Sequence, residues 1–182
     1  MNSFRKFILH VALFGFAMLL FSCSGNKQKP SDDVESGSDF LKNQAAPYDA
    51  DAINPDAPVT EILVTASGNT MAEMKFDKDT LVVPANSTVK LTLKNSSVDM
   101  SMMHNFLLTD PSTVKTVADL ALKAGKDKDF IPDHPSVYVS TKMTSPGEET
   151  SVSFPAPPAG LYKYICTYPG HYSIMQGWFI VQ

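Results

Sequence analysis

The chain predicts an all-β sandwich with one helix set into it. Three features of its 182 residues carry that prediction. From Thr60 onward, about eight short segments are rich in β-branched and aromatic residues or alternate apolar with polar ones. Proline and glycine punctuate the gaps between them, as at Pro155, Pro157, Pro158 and Gly160. A single stretch, 110–125, changes to helical spacing. Many short strands with turn signals between them argue for two packed sheets.

Residues 1–22 stand apart from the domain. Arg5 and Lys6 precede an apolar run from Phe7 to Phe21. That run is short for a membrane-spanning helix, which needs about 20 apolar residues, and it suits the core of a signal peptide. Leu20-Phe21-Ser22-Cys23 resembles the lipobox of bacterial lipoproteins, which implies cleavage before Cys23 and lipid on its sulfur. The other reading is an uncleaved anchor helix. Both place the domain outside the cytoplasm and tie it to a membrane. Residues 23–58 hold few large apolar side chains and read as a flexible tether, which cannot bury enough surface to offset ordering. Such a segment spans roughly 30 Å on average, either as reach toward a partner or as clearance from lipid headgroups. Residues 59–182 form the predicted domain.

Within it, strands are predicted at Thr60–Ala66, Ala72–Asp77, Thr80–Val83, Asn86–Asn95 and His104–Thr109. The fourth alternates most clearly, with Val89, Leu91 and Leu93 on one face and Lys90, Thr92 and Lys94 on the other. It reads as a half-buried antiparallel strand. Asp110-Pro111 then reads as an N-cap with proline at the first helical position. Val114, Val117, Leu120, Ala121 and Ala124 share one helical face, and Gly125 ends it. Further strands are predicted at Ser136–Thr141, Glu148–Phe154, Leu161–Cys166 and Trp178–Val181.

Removing residues 1–22 takes away two of the 15 basic residues and none of the 19 acidic ones, so the net charge moves from −4 to −6. No basic cluster points to nucleic acid. Of the two cysteines, a lipid-bearing Cys23 leaves Cys166 unpaired in an oxidising compartment, where a free thiol is a liability and metal ligation accounts for it.

Cys166 opens the most informative stretch, Cys-Thr-Tyr-Pro-Gly-His-Tyr-Ser-Ile-Met. Cys166, His171 and Met175 lie in one loop, and Pro169-Gly170 supplies its turn. With His104 upstream, they make two imidazoles, a thiolate and a weak thioether, the ligand set of a blue-copper electron-transfer site. His10 falls in the leader, and His134 falls in a loop and reads as solvated; neither counts as a ligand. Read singly, Cys166 is a small buried hydrophobe and Met175 a core filler; together with His104 they read as a site.

The same stretch resembles the copper loop of azurin, Cys-Thr-Phe-Pro-Gly-His, three residues, Met, with Tyr168 in place of the phenylalanine. His104-Asn105-Phe106, Lys128-Asp129-Phe130, Thr141-Lys142-Met143 with Gly147-Glu148, Gly68-Asn69 and Glu73-Met74-Lys75-Phe76 resemble azurin segments in the same order. The resemblance implies an azurin-like cupredoxin, a Greek-key sandwich with its helix outside; the cysteine count leaves it without the N-terminal disulfide of azurin. It implies one type 1 copper held by His104, Cys166, His171 and Met175. It implies that Asn105 ties the His104 strand to the cysteine loop near Thr167, beside Tyr168. In azurin a glycine carbonyl is a second axial group; Met103 stands there in this chain, which leaves four expected ligands and a nearby carbonyl. His104 is expected to be the buried histidine with its second nitrogen held by a protein group, and His171 to face the surface. Met74, Met102, Pro169, Tyr172 and Ile174 are expected to form an apolar docking patch around it, with Trp178 in the core.

The function this implies is a one-electron carrier at the cell envelope, in the periplasm or at the cell surface. It would meet c-type cytochromes or membrane-bound oxidoreductases transiently, with no small-molecule substrate. The alternative is a copper-handling protein that scavenges or delivers the metal. An enzyme of this fold needs a second copper centre, and His134 is the one histidine left to build it.

Overall fold

The computed structural model describes residues 47–182. The leader, Cys23 and the tether up to residue 46 lie outside the described residues. Among the described residues, nine strands form two sheets, packed as the Greek-key sandwich that the sequence predicts. They are β1 (Val59–Ser67), β2 (Lys75–Phe76), β3 (Thr80–Val83), β4 (Thr88–Asn95), β5 (Leu107–Thr109), β6 (Val137–Ser140), β7 (Glu149–Pro155), β8 (Gly160–Ile165) and β9 (Gln176–Val181). One sheet runs β2-β1-β4-β7, the other β3-β9-β8-β5-β6.

The strand β4 behaves as its alternation predicts, with Val89, Leu91 and Leu93 fully buried. Its pairing is more mixed than predicted. It is antiparallel to β7 but parallel to β1. Between β1 and β4 the chain crosses to the other sheet as β3, and it returns running the way β1 ran. The core between the sheets is closed by Val64, Leu91, Phe106, Phe154, Tyr164 and Phe179. On the outer face of the first sheet, Lys90–Glu61 and Lys94–Glu149 pair across strands at 3.1 and 3.2 Å. Exposed pairs of this kind contribute less than about 1 kcal/mol each.

Pro111–Thr113 forms a 3₁₀ turn that leads into the one α-helix among the described residues, α1 (Val114–Ala124). Asp110 takes the N-cap position of that turn with Pro111 at its start, as predicted, but its side chain makes no capping bond. Its carboxylate accepts a hydrogen bond from the Tyr138 hydroxyl at 2.8 Å instead. Gly125 ends the helix at φ 74°, with its N–H donating to the Ala121 carbonyl. Val117 of α1 packs with Leu107 and Ile165 in a second, smaller core. Leu107 and Ile165 are register partners in β5 and β8, on the face opposite the main core, so the helix covers the outside of the second sheet.

The predicted strand 72–77 shrinks to two residues, because 71–73 are turn. The sandwich also makes contacts ahead of residue 59. Tyr48 donates its hydroxyl to the Pro155 carbonyl at 2.8 Å and meets the Tyr138 ring edge-on, centroids 5.4 Å apart.

Candidate metal centre

Three segments bring the site together at one end of the second sheet. Cys166 follows directly on β8. His104 precedes β5, which pairs with β8. His104 is not in a continuous strand, as predicted, but in a lone bridge: its N–H donates to the Thr144 carbonyl and its carbonyl accepts from the Thr144 N–H. The ladder breaks here because the Phe106 N–H turns to the Thr141 hydroxyl at 3.0 Å.

The loop 166–175 is closed by its own backbone. Pro169 and Gly170 occupy the middle of a turn in which the His171 N–H donates to the Tyr168 carbonyl at 3.0 Å. Gly170 sits at φ 84°, where a side chain is costly. The Met175 N–H donates to the His171 carbonyl at 2.8 Å, and the Cys166 N–H donates to the Met175 carbonyl at 3.0 Å. Both ends of the loop are thus fastened, and His171 is directed back toward the cysteine.

The result is a triangle of ligand atoms. Cys166 Sγ lies 3.8 Å from His104 Nδ1 and 3.7 Å from His171 Nδ1, and the two nitrogens lie 3.3 Å apart. A point equidistant from all three is about 2.1 Å from each, within the roughly 2.0–2.3 Å that imidazole nitrogen and thiolate sulfur adopt at a first-row metal. His104 and Cys166 are fully buried, and so is Met175.

Electrostatics point the same way. Burial, and then the neighbouring His171, push the His104 pKa down to about 4. Burial alone takes His171 to about 4. Both rings are therefore neutral at pH 7 and offer lone pairs. Burial pushes the Cys166 thiol up to about 11, against the backbone N–H groups of Asn105 and Tyr168, which favour its thiolate. A cation at the centre reverses that balance. Two borderline imidazole nitrogens and a soft sulfur with no water access fit copper.

The surroundings brace the ligands. Asn105 Nδ2 donates to the Thr167 hydroxyl at 2.7 Å, and Asn105 Oδ1 accepts the Thr167 N–H at 2.8 Å. Asn105 also donates to the Asp129 carbonyl. Tyr168 meets the His171 ring with centroids 4.8 Å apart. Sequence reasoning missed Asn95, which is fully buried and donates to the carbonyls of Met102 and Thr144, at 2.7 and 3.0 Å, on either side of His104. It occupies the inward register of β4 after Leu93, where a polar residue is out of pattern; that was the available signal.

Several expectations are corrected. His104 Nε2 is buried and meets no protein partner, because no carbonyl of the described residues reaches it. His171 is 1% exposed rather than surface-facing, since the loop folds it inward under Tyr168. Met74 and Met102, expected in the docking patch, are 1% and 7% exposed and belong to the interior. Pro169 and Ile174 are exposed and Tyr172 is half-buried against the helix core. Trp178 is exposed, with the Lys163 ammonium 4.1 Å from its ring centre. The Met103 side chain faces a surface cavity.

Residues 61–182 match the family described as copper binding proteins, plastocyanin/azurin family. The chain is 36% identical over 117 residues to auracyanin-A of Chloroflexus aurantiacus, spanning 63% of this chain and 71% of that one. It is 30% identical over 124 residues to azurin of Pseudomonas aeruginosa, spanning 64% of this chain and 82% of that one. Among solved structures, auracyanin A, a "blue" copper protein from Chloroflexus aurantiacus, superposes with a TM-score of 0.62 at 33% identity, over 68% of this chain and 99% of that one. The chain belongs to the plastocyanin/azurin family, and its cofactor is one copper ion.

Proposed function

We propose that this protein is a one-electron carrier in which His104, Cys166 and His171, with the thioether of Met175, would hold one copper ion. The observation that carries the reading is the triangle itself: three buried ligand atoms already spaced for an ion, on backbone that is fastened at every corner. Copper supplies the change between Cu(II) and Cu(I). The residues supply a frame that does not need to move when the charge changes, because the loop closure and the Asn105–Thr167 bonds hold it. Cys166 contributes the thiolate, and the amides of Asn105 and Tyr168 steady its charge. The two imidazoles stay neutral and bound. Burial keeps water from the sulfur.

The exposed apolar side chains of the loop, Pro169 and Ile174, form the contact for transient redox partners, c-type cytochromes or membrane-bound oxidoreductases. A lipid on Cys23 would hold the protein at the cell envelope, with the domain in the periplasm or at the cell surface. The protein turns over no small-molecule substrate and binds no nucleic acid. The deep burial of His104 and Cys166 weighs against rapid release of metal, and so against a purely copper-delivering role.

Optical and electron-spin spectroscopy of the purified protein with Cu(II) tests this reading. An intense blue thiolate band with narrow copper hyperfine splitting is expected, and the colour should survive repeated reduction and oxidation without loss of copper. A pale, ordinary Cu(II) spectrum would overturn it.

A further inference from the structure

Beside the ligand loop lies a surface cavity of about 380 Å³ lined by Met100, Met103 and Met143, with Phe130 and Tyr168 forming aromatic walls. Seven of the nine methionines fall among the described residues, and three of those seven meet at this one cavity. Met100 is 73% exposed, and Met103 and Met143 are half-buried. All three side chains therefore line a cavity at the surface. No histidine or cysteine lines the cavity, and Asp129 offsets the charge of Lys126.

Neutral, polarisable thioethers select Cu(I) over harder cations. They lack the anionic charge of a thiolate, so a metal held by them alone can exchange. The cavity also shares walls with the buried cluster. Met103 adjoins His104 in the chain, and the Tyr168 ring lies against His171. None of this serves an electron carrier as such. A polar or aliphatic surface would do there equally well, and exposed methionine is open to oxidation.

We propose that Met100, Met103 and Met143 form a thioether site for Cu(I) that holds the ion at the surface before the buried cluster takes it. The delivery step rests on the copper reading above; the binding step does not. In delivery copper stays Cu(I), so no electron moves. Bonds to thioether sulfur break, bonds to the Cys166 sulfur and the two imidazoles form, and the thiol proton passes to water.

Anaerobic titration of the apoprotein with Cu(I), against a competing Cu(I) chelator, tests both steps. Two equivalents are expected to bind, the second more weakly, and X-ray absorption at the copper edge should give the second a sulfur environment without imidazole. The triple variant Met100→Leu, Met103→Leu, Met143→Leu should keep the first equivalent and lose at least tenfold in affinity for the second. Its uptake of Cu(I) into the buried site should slow at least fivefold, with uptake of Cu(II) unchanged. Met100→Leu alone removes an exposed side chain that the fold does not need, and it should weaken the second equivalent at least threefold. One equivalent in the parent protein, an unweakened second equivalent in the variants, or equal Cu(I) uptake rates would each overturn the proposal. Failure to bind any copper would overturn the reading of the buried cluster as well.

Discussion

Asn105 and Thr167 hold each other twice, amide to hydroxyl at 2.7 Å and backbone N–H to amide oxygen at 2.8 Å. The pair joins the segment carrying His104 to the segment carrying Cys166, across 62 residues of sequence. Each residue is the immediate neighbour of a ligand, so the distance between imidazole and sulfur is set by protein bonds before any metal arrives. Asn105→Ala leaves the Thr167 N–H buried without an acceptor and should cost about 2–3 kcal/mol. Thr167→Val keeps that N–H bonded but takes the acceptor from one Asn105 Nδ2–H while its bond to the Asp129 carbonyl survives, and should cost less, about 1–2 kcal/mol. Urea denaturation of the apoproteins measures both, and equal losses would contradict the reciprocal arrangement.

Cys166→Ser should abolish the blue band while leaving the fold intact, because the hydroxyl fills similar space in a fully buried position but does not ionise. Met175→Leu preserves volume, which in cores costs less than about 1.5 kcal/mol. It should keep the colour and shift the reduction potential, as loss of a weak thioether donor would. Spectroscopy and voltammetry on the two variants separate the role of each sulfur.

The pH dependence has a fixed sign. Both imidazoles titrate near 4 in the fold, against about 6.5 in the unfolded chain. Between those values the unfolded chain binds protons that the native apoprotein does not. Apoprotein stability is therefore fully present above pH 6.5 and falls as pH drops toward 4, by on the order of 3 kcal/mol per ring. The Cys166 thiol, pushed up to about 11, remains protonated at neutral pH. Metal binding from pH 6.5 to about 8.5 should release one proton per ion, and affinity should rise about tenfold per pH unit. Urea titrations of the apoprotein and proton release on metal addition check the two statements; two or more protons released at pH 7 would contradict neutral imidazoles.

Gly177 faces Tyr164 across β8 and β9, and a Cβ there would overlap the tyrosine ring. The ring is fully buried, stacks on Phe106 with centroids 5.1 Å apart, and donates its hydroxyl to the Lys78 carbonyl. It cannot move aside without opening the core beneath the site. Gly177→Ala should destabilise the protein by more than about 2 kcal/mol, as overpacking does, and thermal unfolding measures it. Tyr164→Phe in the same background would not restore stability, because the clash is with the ring.

Much of the architecture was readable from local pattern. Alternation located β4, and the Pro-Gly pair located the turn that presents His171. What alternation does not encode is the partner of a strand, so the parallel pairing of β1 with β4 was invisible. Exposure failed where residue type was trusted over register. Trp178 lies between inward-facing Gly177 and Phe179, so the period of two sends it outward. Met74 and Met102 look like patch residues by composition, yet they pack inward beside loops whose paths only the folded chain defines. The clustering of His104, Cys166 and His171 was legible as chemistry. Their spacing, and the service of Asn95 on the far side of His104, depend on long-range pairings that no short stretch contains.

The wide separation of His104 from the Cys166 loop along the chain also orders events in time. β9 follows Met175 and pairs with both β3 and β8, so the frame around the ion closes only when β9 is in place. Loop closure over such distances is slow relative to local structure. A chain interrupted before Gln176 carries all four metal-binding side chains and still lacks the wall that holds them apart at the right distance. Capture of the ion thus waits on the pairing of β9 with its two neighbours.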